Sequence, residues 1–444
     1  MSGTDPLPEA VRVAPGSALV GEVRTPGDKS ISHRALLIGA LAEGTSELRG
    51  LSDGDDVRRS AQAVAQLGAT VRRVGPATTV DGGRARLQAG GTIDCGNSGT
   101  SMRLLAGVLA GLDGETVLTG DDSLSARPMD RIAEPLAAMG ATVTGRGPRQ
   151  LPPLTVRGGR LRAVTWAPPM ASAQVKSAIL FAGLDADGET VVEEAVPTRA
   201  HTEELLAAAG AAITVEPLAV GRRVRLRPSR LAPLDLDVPG DPSQAAFWLV
   251  GGCVVPGSKV RVRRVYAGGE RIGFLGVLER MGATVSIEPL PDGSAEMTAE
   301  HSELSGTTVA AAEIPSLDEV PILAVAAAAA RGTTTFADVA ELRVKETDRF
   351  AATIRLVEAL GARAQAVGDD LVVTGTGRLG PGPVDFEAEG DHRMAMAAVV
   401  GALGSPGGGR VGGMAAVATS YPGFLTDLSR LGGADAWEPA TAAR

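Results

Sequence analysis

Aromatic side chains are scarce in this chain of 444 residues, which holds 7 Phe, 2 Tyr and 3 Trp. So few rings weaken any function built on stacking nucleobases or sugars. Cysteine is scarcer still. Cys95 and Cys253 stand alone, form no disulfide framework and point to a reducing cytoplasm. Lysine occurs only at positions 29, 176, 259 and 345, every other cation being arginine. Positive charge is in deficit, with a net charge of -9, which argues against general nucleic-acid binding and leaves anion recognition to local clusters. The longest apolar run, "VPILAVAAAAA" from Val320, is too short to cross a bilayer. The first residues, "MSGTDPLPEAVRVAPG", lack the basic start and apolar stretch of a signal peptide. These absences predict a cytoplasmic protein with no membrane or nucleic-acid partner.

Glycine, by contrast, is abundant at 58 residues, and much of it falls in an internal repeat. "QLGATV", "AMGATV" and "RMGATV" end at Val71, Val143 and Val285, and weaker copies surround Gly210, Gly361 and Gly432. The glycines recur about every 70 to 79 residues. Each copy reads as a helix end, a left-handed glycine cap and a β-branched strand start. A second series runs in phase with it: "EGTSELRG", "GETVLTGD", "GETVVEEA", "GSKVRVRR", "GTTTFADV" and "GGRVGGMA". Each is a glycine turn opening a strand. "TPGDKS" at Thr25 returns as "VPGDPS" at Val238, so six α/β units group into two halves of three. The seam lies near Pro239, and the residues before Arg24 belong with the second half.

The helix opening each unit starts in a polar cluster: "GDKSISHR", "GNSGTSMR", "MASAQVKS", "GDPSQAAF", "SLDEVPIL" and "GDHRMAMA". Ser, Asp or Asn ahead of an apolar helix is N-cap chemistry, and capping alone accounts for "GDPSQAAF". The first three clusters carry more. Helix N-termini are ready anion sites, and here they are joined by Lys29, Ser30 and Arg34, by Arg103 beside small residues, and by Ser172 and Gln174. Equivalent helices pointing the same way would suit a ligand with two or more anionic groups. A nucleotide loop is excluded by spacing, because a P-loop requires Gly-Lys and Asp28 precedes Lys29.

"ELRVKETDRF" gathers Arg343, Lys345, Glu346 and Arg349. On one helix, Lys345 and Arg349 would share a face, which like charges disfavour unless an anion lies between them. The alternative is a solvated charge run. In "IPSLDEVPIL", Asp318 and Glu319 sit between apolar flanks, as a cap or as a general base. "LSDGDDVRRS" lacks the Gly and Glu of a calcium loop and reads as a cap, and the four histidines have no metal-ligand spacing.

Together "PGDKSISHR", "GNSGTSMR", "RPM", "MASAQVKSA", "RVKETDR" and "DHRMAM" resemble the 5-enolpyruvylshikimate-3-phosphate synthases, in order and over nearly the whole chain. "ASAQVKSA" and "DEVPILAV" are most similar to their class II branch. The resemblance implies two inside-out α/β domains, each of three βαβαββ units. The first spans residues 23–239, the second residues 1–22 plus 240–444, with the active site in the interdomain cleft. It implies transfer of the enolpyruvyl group of phosphoenolpyruvate to the 5-hydroxyl of shikimate 3-phosphate. A protonated enol is attacked at C2, and phosphate then leaves the tetrahedral intermediate.

Carried over by motif, Lys29, Ser30, Arg34, Ser172, Ala173, Gln174, Arg199, Asp318 and Lys345 are expected to hold shikimate 3-phosphate. Lys29, Asn97, Gly99, Arg127, Gln174, Arg349 and Arg393 are expected to hold phosphoenolpyruvate. Asp318 takes the hydroxyl proton, Glu346 serves the methylene carbon, and Lys29 and Lys345 supply charge. No metal or organic cofactor is implied, and a monomer is expected. Ala173 replaces a second serine common in the family, and Thr419 replaces a lysine. Gly99 stands where class II members often carry Ala, so some sensitivity to glyphosate is expected. An alternative is the related transferase acting on UDP-N-acetylglucosamine, which carries a Cys where this chain has Asp122; neither Cys95 nor Cys253 is near that loop in sequence. A paralogue with another acceptor, or without catalysis, is a further alternative, against which the intact Lys29, Asp318 and Glu346 argue.

Overall fold

Six helical stretches are apolar on every side, and a helix without a polar face belongs inside a protein. In the computed structural model, which describes residues 7–440, these stretches form buried helices. The described residues divide into two compact units: Gly27–Val238, and the residues up to Pro26 together with those from Pro239. In Gly27–Val238 the helices are α1 (Lys29–Leu41), α2 (Asp55–Gln66), α3 (Gly99–Ala110), α4 (Asp122–Ser125), α5 (Asp130–Met139), α6 (Ala173–Gly183) and α7 (His201–Ala208). The other unit holds α8 (Pro242–Val254), α9 (Gly273–Arg280), α10 (Val320–Ala329), α11 (Arg349–Ala359), α12 (His392–Gly404) and α13 (Phe424–Gly432).

Six four-stranded sheets accompany them, three per unit. Every sheet has the same order. Its first strand runs parallel to the second across a buried helix, and the fourth lies between second and third, antiparallel to both. Around α3, for example, Thr92–Asp94 pairs parallel with Gly114–Thr119, and Leu151–Gly158 lies antiparallel between the latter and Thr142–Arg146. This is the βαβαββ unit, repeated six times. In each unit of the fold the leading strand of the first repeat comes from elsewhere in the chain. Asp235–Asp237 pairs with Gly44–Arg49, and Val20–Val23 pairs with Lys259–Val262. Ala10–Val13 completes the last sheet, between Gly409–Gly412 and Trp437–Ala440.

The repeated glycines do what left-handed caps do. Gly68, Gly140, Gly210, Gly282 and Gly361 all have positive φ. Each donates to the carbonyl three residues back, while the next residue reaches five back, as in Gly140 N to Ala137 O and Ala141 N to Leu136 O, both 3.0 Å. At the sixth site the positive φ falls on Gly433, one residue past the expected Gly432. A second glycine device escapes sequence reading. Gly82, Gly158 and Gly375 stand opposite Gly44, Gly114 and Gly332 in the sheets. A Cβ at any of the three would come within 2.8 Å of the carbonyl group of Ala40, Ala110 or Ala328, so the strand can cross a buried helix end only as glycine.

The buried helices meet start to start. In the second unit α8, α10 and α12 pack on one another, and Ser243 of α8 donates to Glu319, at the cap of α10, at 2.5 Å. In Gly27–Val238, α3 packs on α1 and α6. The scarce aromatics are concentrated: Trp248 of α8 stacks on Phe424 of α13 at 4.9 Å between centroids, and its indole nitrogen donates to Tyr421 at 3.0 Å.

Two expectations about local structure are corrected. Lys345 and Arg349 do not share a helix face: a 3-10 turn ends at Val344, Lys345 is extended, and α11 begins at Arg349. "LSDGDDVRRS" supplies no side-chain cap either. Gly54 occupies the cap of α2, and Asp55 and Asp56 sit in its first turn, beside the positive end of the dipole.

Candidate active site

Parallel helices bundled with their N-termini together repel one another through their positive ends, so the capping residues decide the local potential. In the unit from Pro239 all three buried starts are acidic: Asp241 caps α8, Glu319 precedes α10 and Asp391 caps α12. In Gly27–Val238 only α1 has an acid, with Asp28 accepting from Ile31 N at 2.8 Å. Ser98 and Ser172 cap α3 and α6 as neutral hydroxyls. The Gly27–Val238 helix starts therefore keep more of their positive field.

Cationic and amide side chains cluster there. Lys29 opens α1 and pairs with Asp56 at 3.1 Å. The wholly buried Arg34 donates to the Ser30 carbonyl and hydroxyl at 2.9 and 2.6 Å, to Thr202 at 2.6 Å and to Ser177 at 2.7 Å. It thus fixes the Ser30 hydroxyl and ties α1 to α6 and α7. At the start of α3, Arg127 donates to Asn97 Oδ1 at 2.7 Å, and Asn97 in turn donates to Asp121 at 2.7 Å. Gln174, in the first turn of α6, donates to Thr100 at 2.8 Å and accepts from Arg103 at 2.7 Å. Ala173 precedes it and brings no polar group. Gly99 leaves room for these arginines, since a Cβ there would stand 2.8 Å from Arg103 Nη1 and 3.5 Å from Arg127 Nη1. Ser101 of α3 reaches the Asp56 carbonyl at 3.3 Å, linking the α3 group to the Lys29 pair. The carbonyl of Arg199 accepts from Lys176 at 3.0 Å.

The other unit holds a tighter cluster centred on Arg349. Its side chain is fully buried and meets three carboxylates: Asp391 Oδ2 at 2.7 Å from Nε, Asp318 Oδ1 at 3.2 Å from Nη1, and Glu346 Oε2 at 2.6 Å from Nη2. Arg393 approaches Asp318 Oδ2 at 3.3 Å. Asp318 follows Leu317, whose φ of +56° is costly for a branched side chain and turns the chain sharply there. Burial pushes the Arg349 guanidinium down, but Glu346, Asp391 and Asp318 outweigh it and raise it above its ordinary value. Burial likewise pushes Asp391 up, but Arg349 and His392 hold its carboxyl below the usual range. Lys345 pairs with Glu341 at 2.8 Å.

Sequence reasoning gave no site role to Asp56 or Asp391, and assigned Arg103 to an anion-binding helix start without a partner. Asp391 carried a signal, because "GDHR" repeats the Gly-Asp that precedes α1 and α8. Cys95 is distant from the Asp122 loop in sequence but not in space: its backbone N–H donates to Thr119 O at 2.8 Å, which places it beside that loop. Burial, reinforced by Asp94, pushes its thiol up to about 12, and an un-ionised buried thiol is a poor nucleophile. Among the described residues no cluster of His, Cys, Asp and Glu is arranged to hold a metal ion, and no helix is long and apolar enough to cross a membrane.

Known proteins resemble this chain over nearly its whole length. The family model of EPSP synthase (3-phosphoshikimate 1-carboxyvinyltransferase) matches residues 13–428. A 3-phosphoshikimate 1-carboxyvinyltransferase from Caulobacter vibrioides is 44% identical over 439 residues, 95% of this chain and 98% of that protein. One from Shouchella clausii is 43% identical over 423 residues, covering 94% and 97%. Among solved structures, an EPSP synthase from Acinetobacter baumannii superposes with a TM-score of 0.85 at 36% identity, over 97% of this chain and 100% of that one. An enolpyruvyl transferase from Streptomyces tendae, 21% identical with a TM-score of 0.77 over 98% of this chain and 100% of its own, shares the fold. With the family model and the full-length similarity in agreement, the chain belongs to the EPSP synthase family, the 3-phosphoshikimate 1-carboxyvinyltransferases.

Proposed function

We propose that the Lys29 group and the Arg349 group are two halves of one active site, in the cleft between the domains. There the enolpyruvyl group of phosphoenolpyruvate passes to the 5-hydroxyl of shikimate 3-phosphate and phosphate is released. The activity is that of the family, a step of the shikimate pathway towards aromatic amino acids. The observation that carries the reading is the division of labour between the clusters. One offers helix starts, Lys29, Ser30 and arginines, with Lys29 already tied to Asp56. The other holds Asp318 and Glu346 on the two terminal nitrogens of a single arginine.

Both substrates carry a phosphate and a carboxylate, and arginine forks bind such groups through two parallel hydrogen bonds. Shikimate 3-phosphate is held by Lys29, Ser30, Arg34, Ser172, Gln174 and Arg199 in one domain, and by Asp318 and Lys345 in the other. Phosphoenolpyruvate is held by Lys29, Asn97, Gly99, Arg127 and Gln174, and by Arg349 and Arg393. Glu346 gives a proton to the methylene carbon, which makes C2 electrophilic. Asp318 takes the proton of the 5-hydroxyl as its oxygen bonds to C2. Phosphate then leaves C2, and Glu346 recovers a proton from the methyl carbon as the double bond reforms. Cationic donors stabilise charge on the phosphate and carboxylate throughout.

The chemistry asks for no metal or organic cofactor, because acid, base and cations are side chains. The protein works as a cytoplasmic monomer. The test is a pair of changes in different domains. Lys29→Met and Glu346→Gln should each lose turnover by about a hundredfold or more while remaining folded by circular dichroism. Normal turnover in either variant would refute a shared site.

A further inference from the structure

Lys176 is one of only four lysines, and its side chain is fully buried in α6. All three ammonium hydrogens have partners: Glu203 Oε1 at 2.7 Å, Glu194 Oε2 at 2.9 Å and the carbonyl of Arg199 at 3.0 Å. Arg222 closes the group, with Nε 2.7 Å from Glu194 and a terminal nitrogen 3.4 Å from Glu203. It also donates to the carbonyl of Thr198, whose hydroxyl donates to Glu194. Lys176, Glu194 and Glu203 are buried, and the half-buried Arg222 brings the group to no net charge.

Burying three charges against a fourth is a costly way to gain stability, since apolar residues of similar volume often do as well. What apolar residues cannot do is donate to the carbonyls of Thr198 and Arg199. Those residues lie in the loop between the strand Thr190–Glu194 and α7, and α7 has no side-chain cap of its own. The next residue of α6, Ser177, accepts from Arg34 at 2.7 Å. One pair of consecutive residues therefore fixes both Arg34 and the backbone of Arg199.

We propose that Lys176, with Glu194, Glu203 and Arg222, is a positioning residue that pins the Thr198–Arg199 backbone and so sets where the Arg199 guanidinium meets the shikimate 3-phosphate anion. This rests on the reading of Arg199 as a substrate ligand. Lys176 touches no substrate. It acts through the loop, so its loss should weaken one substrate and spare the other.

The variant Lys176→Met/Glu203→Gln removes the donor while leaving Arg222 and Glu194 as a balanced pair, which limits the folding penalty. Amide hydrogen exchange at Thr198, Arg199 and Ala200 should quicken at least about tenfold relative to wild type. KM for shikimate 3-phosphate should rise about tenfold, while kcat and KM for phosphoenolpyruvate change less than about threefold. In an Arg199→Ala background the same change should raise KM less than about twofold further, because both act through one contact. Unchanged exchange, or a KM effect that multiplies fully with that of Arg199→Ala, would overturn the proposal. If Arg199→Ala alone leaves KM for shikimate 3-phosphate unchanged, the reading of Arg199 as a ligand fails. The functional half of the proposal fails with it, and exchange still decides whether the network pins the loop.

Discussion

Arg349 and Asp391, 42 residues apart in sequence, meet at 2.7 Å between Nε and Oδ2, both with fully buried side chains. Asp391 also accepts from the Arg393 backbone N–H at 2.9 Å and caps α12. One carboxylate therefore orients Arg349 and anchors the start of the helix that carries Arg393. Asp391→Ala should cost about 2–4 kcal/mol in urea unfolding, because it leaves the buried Arg349 Nε–H without its acceptor and uncaps α12, although Asp318 and Glu346 still balance the charge. It should also raise KM for phosphoenolpyruvate more than KM for shikimate 3-phosphate. Equal effects on the two substrates would detach Asp391 from the phosphoenolpyruvate side.

Asp318 and Glu346 both lean on Arg349, yet their proposed tasks differ. Glu346→Gln and Asp318→Ala should each lower kcat by about 10²–10⁴-fold. Glu346→Gln should suppress exchange of solvent deuterium into the methylene of phosphoenolpyruvate during turnover. Asp318→Ala should spare that exchange relative to product formation. Exchange lost in Asp318→Ala and kept in Glu346→Gln would reverse the two roles.

Gly99 stands 2.8 Å, measured from an ideal Cβ, from an Arg103 nitrogen that is itself held by Gln174. Gly99→Ala should move these side chains rather than the backbone, leaving thermal stability close to wild type while raising KM for phosphoenolpyruvate. The wild-type enzyme should be inhibited by glyphosate, and Gly99→Ala should be inhibited less. Wild-type activity that persists at high glyphosate concentration would contradict this.

His33 is buried in α1 with Nδ1 2.8 Å from Ser60 Oγ. Burial, then Lys29 and Arg34, keeps it well below its ordinary value of 6.5. The folded state holds His33 neutral while the unfolded chain protonates it below that pH. Its contribution is thus fully present above the unfolded value and is lost as pH falls beneath it. Stability should fall by about 1.4 kcal/mol per pH unit on its account. His33→Gln should flatten the decline between about pH 6.5 and 5 by that slope, measured by urea unfolding. An unchanged slope would show that His33 does not titrate this way.

The features legible in sequence were the local ones. A capping Asp28 or Ser98 and a turn glycine such as Gly140 act within a few residues, so their patterns survive in a linear reading. Six repetitions of that pattern made the fold readable. Lys29, Glu346 and Arg349 were legible because they sit in dense motifs. The linked pairs were not. Arg34 finds Ser177 and Thr202 far along the chain, and Lys176 finds Glu194 and Glu203 only once α6, a strand and α7 assemble. Lys345 and Arg349 misled because their spacing suits a helix, while the chain breaks between them at Asp348, which caps α11.

The most direct test of the central claim is phosphate release from phosphoenolpyruvate, with the acceptor varied. With shikimate 3-phosphate, release should be rapid and should match, mole for mole, an enolpyruvyl ether detected by mass spectrometry. With UDP-N-acetylglucosamine, or with no acceptor, it should stay at background. Release with UDP-N-acetylglucosamine and none with shikimate 3-phosphate would contradict the assignment.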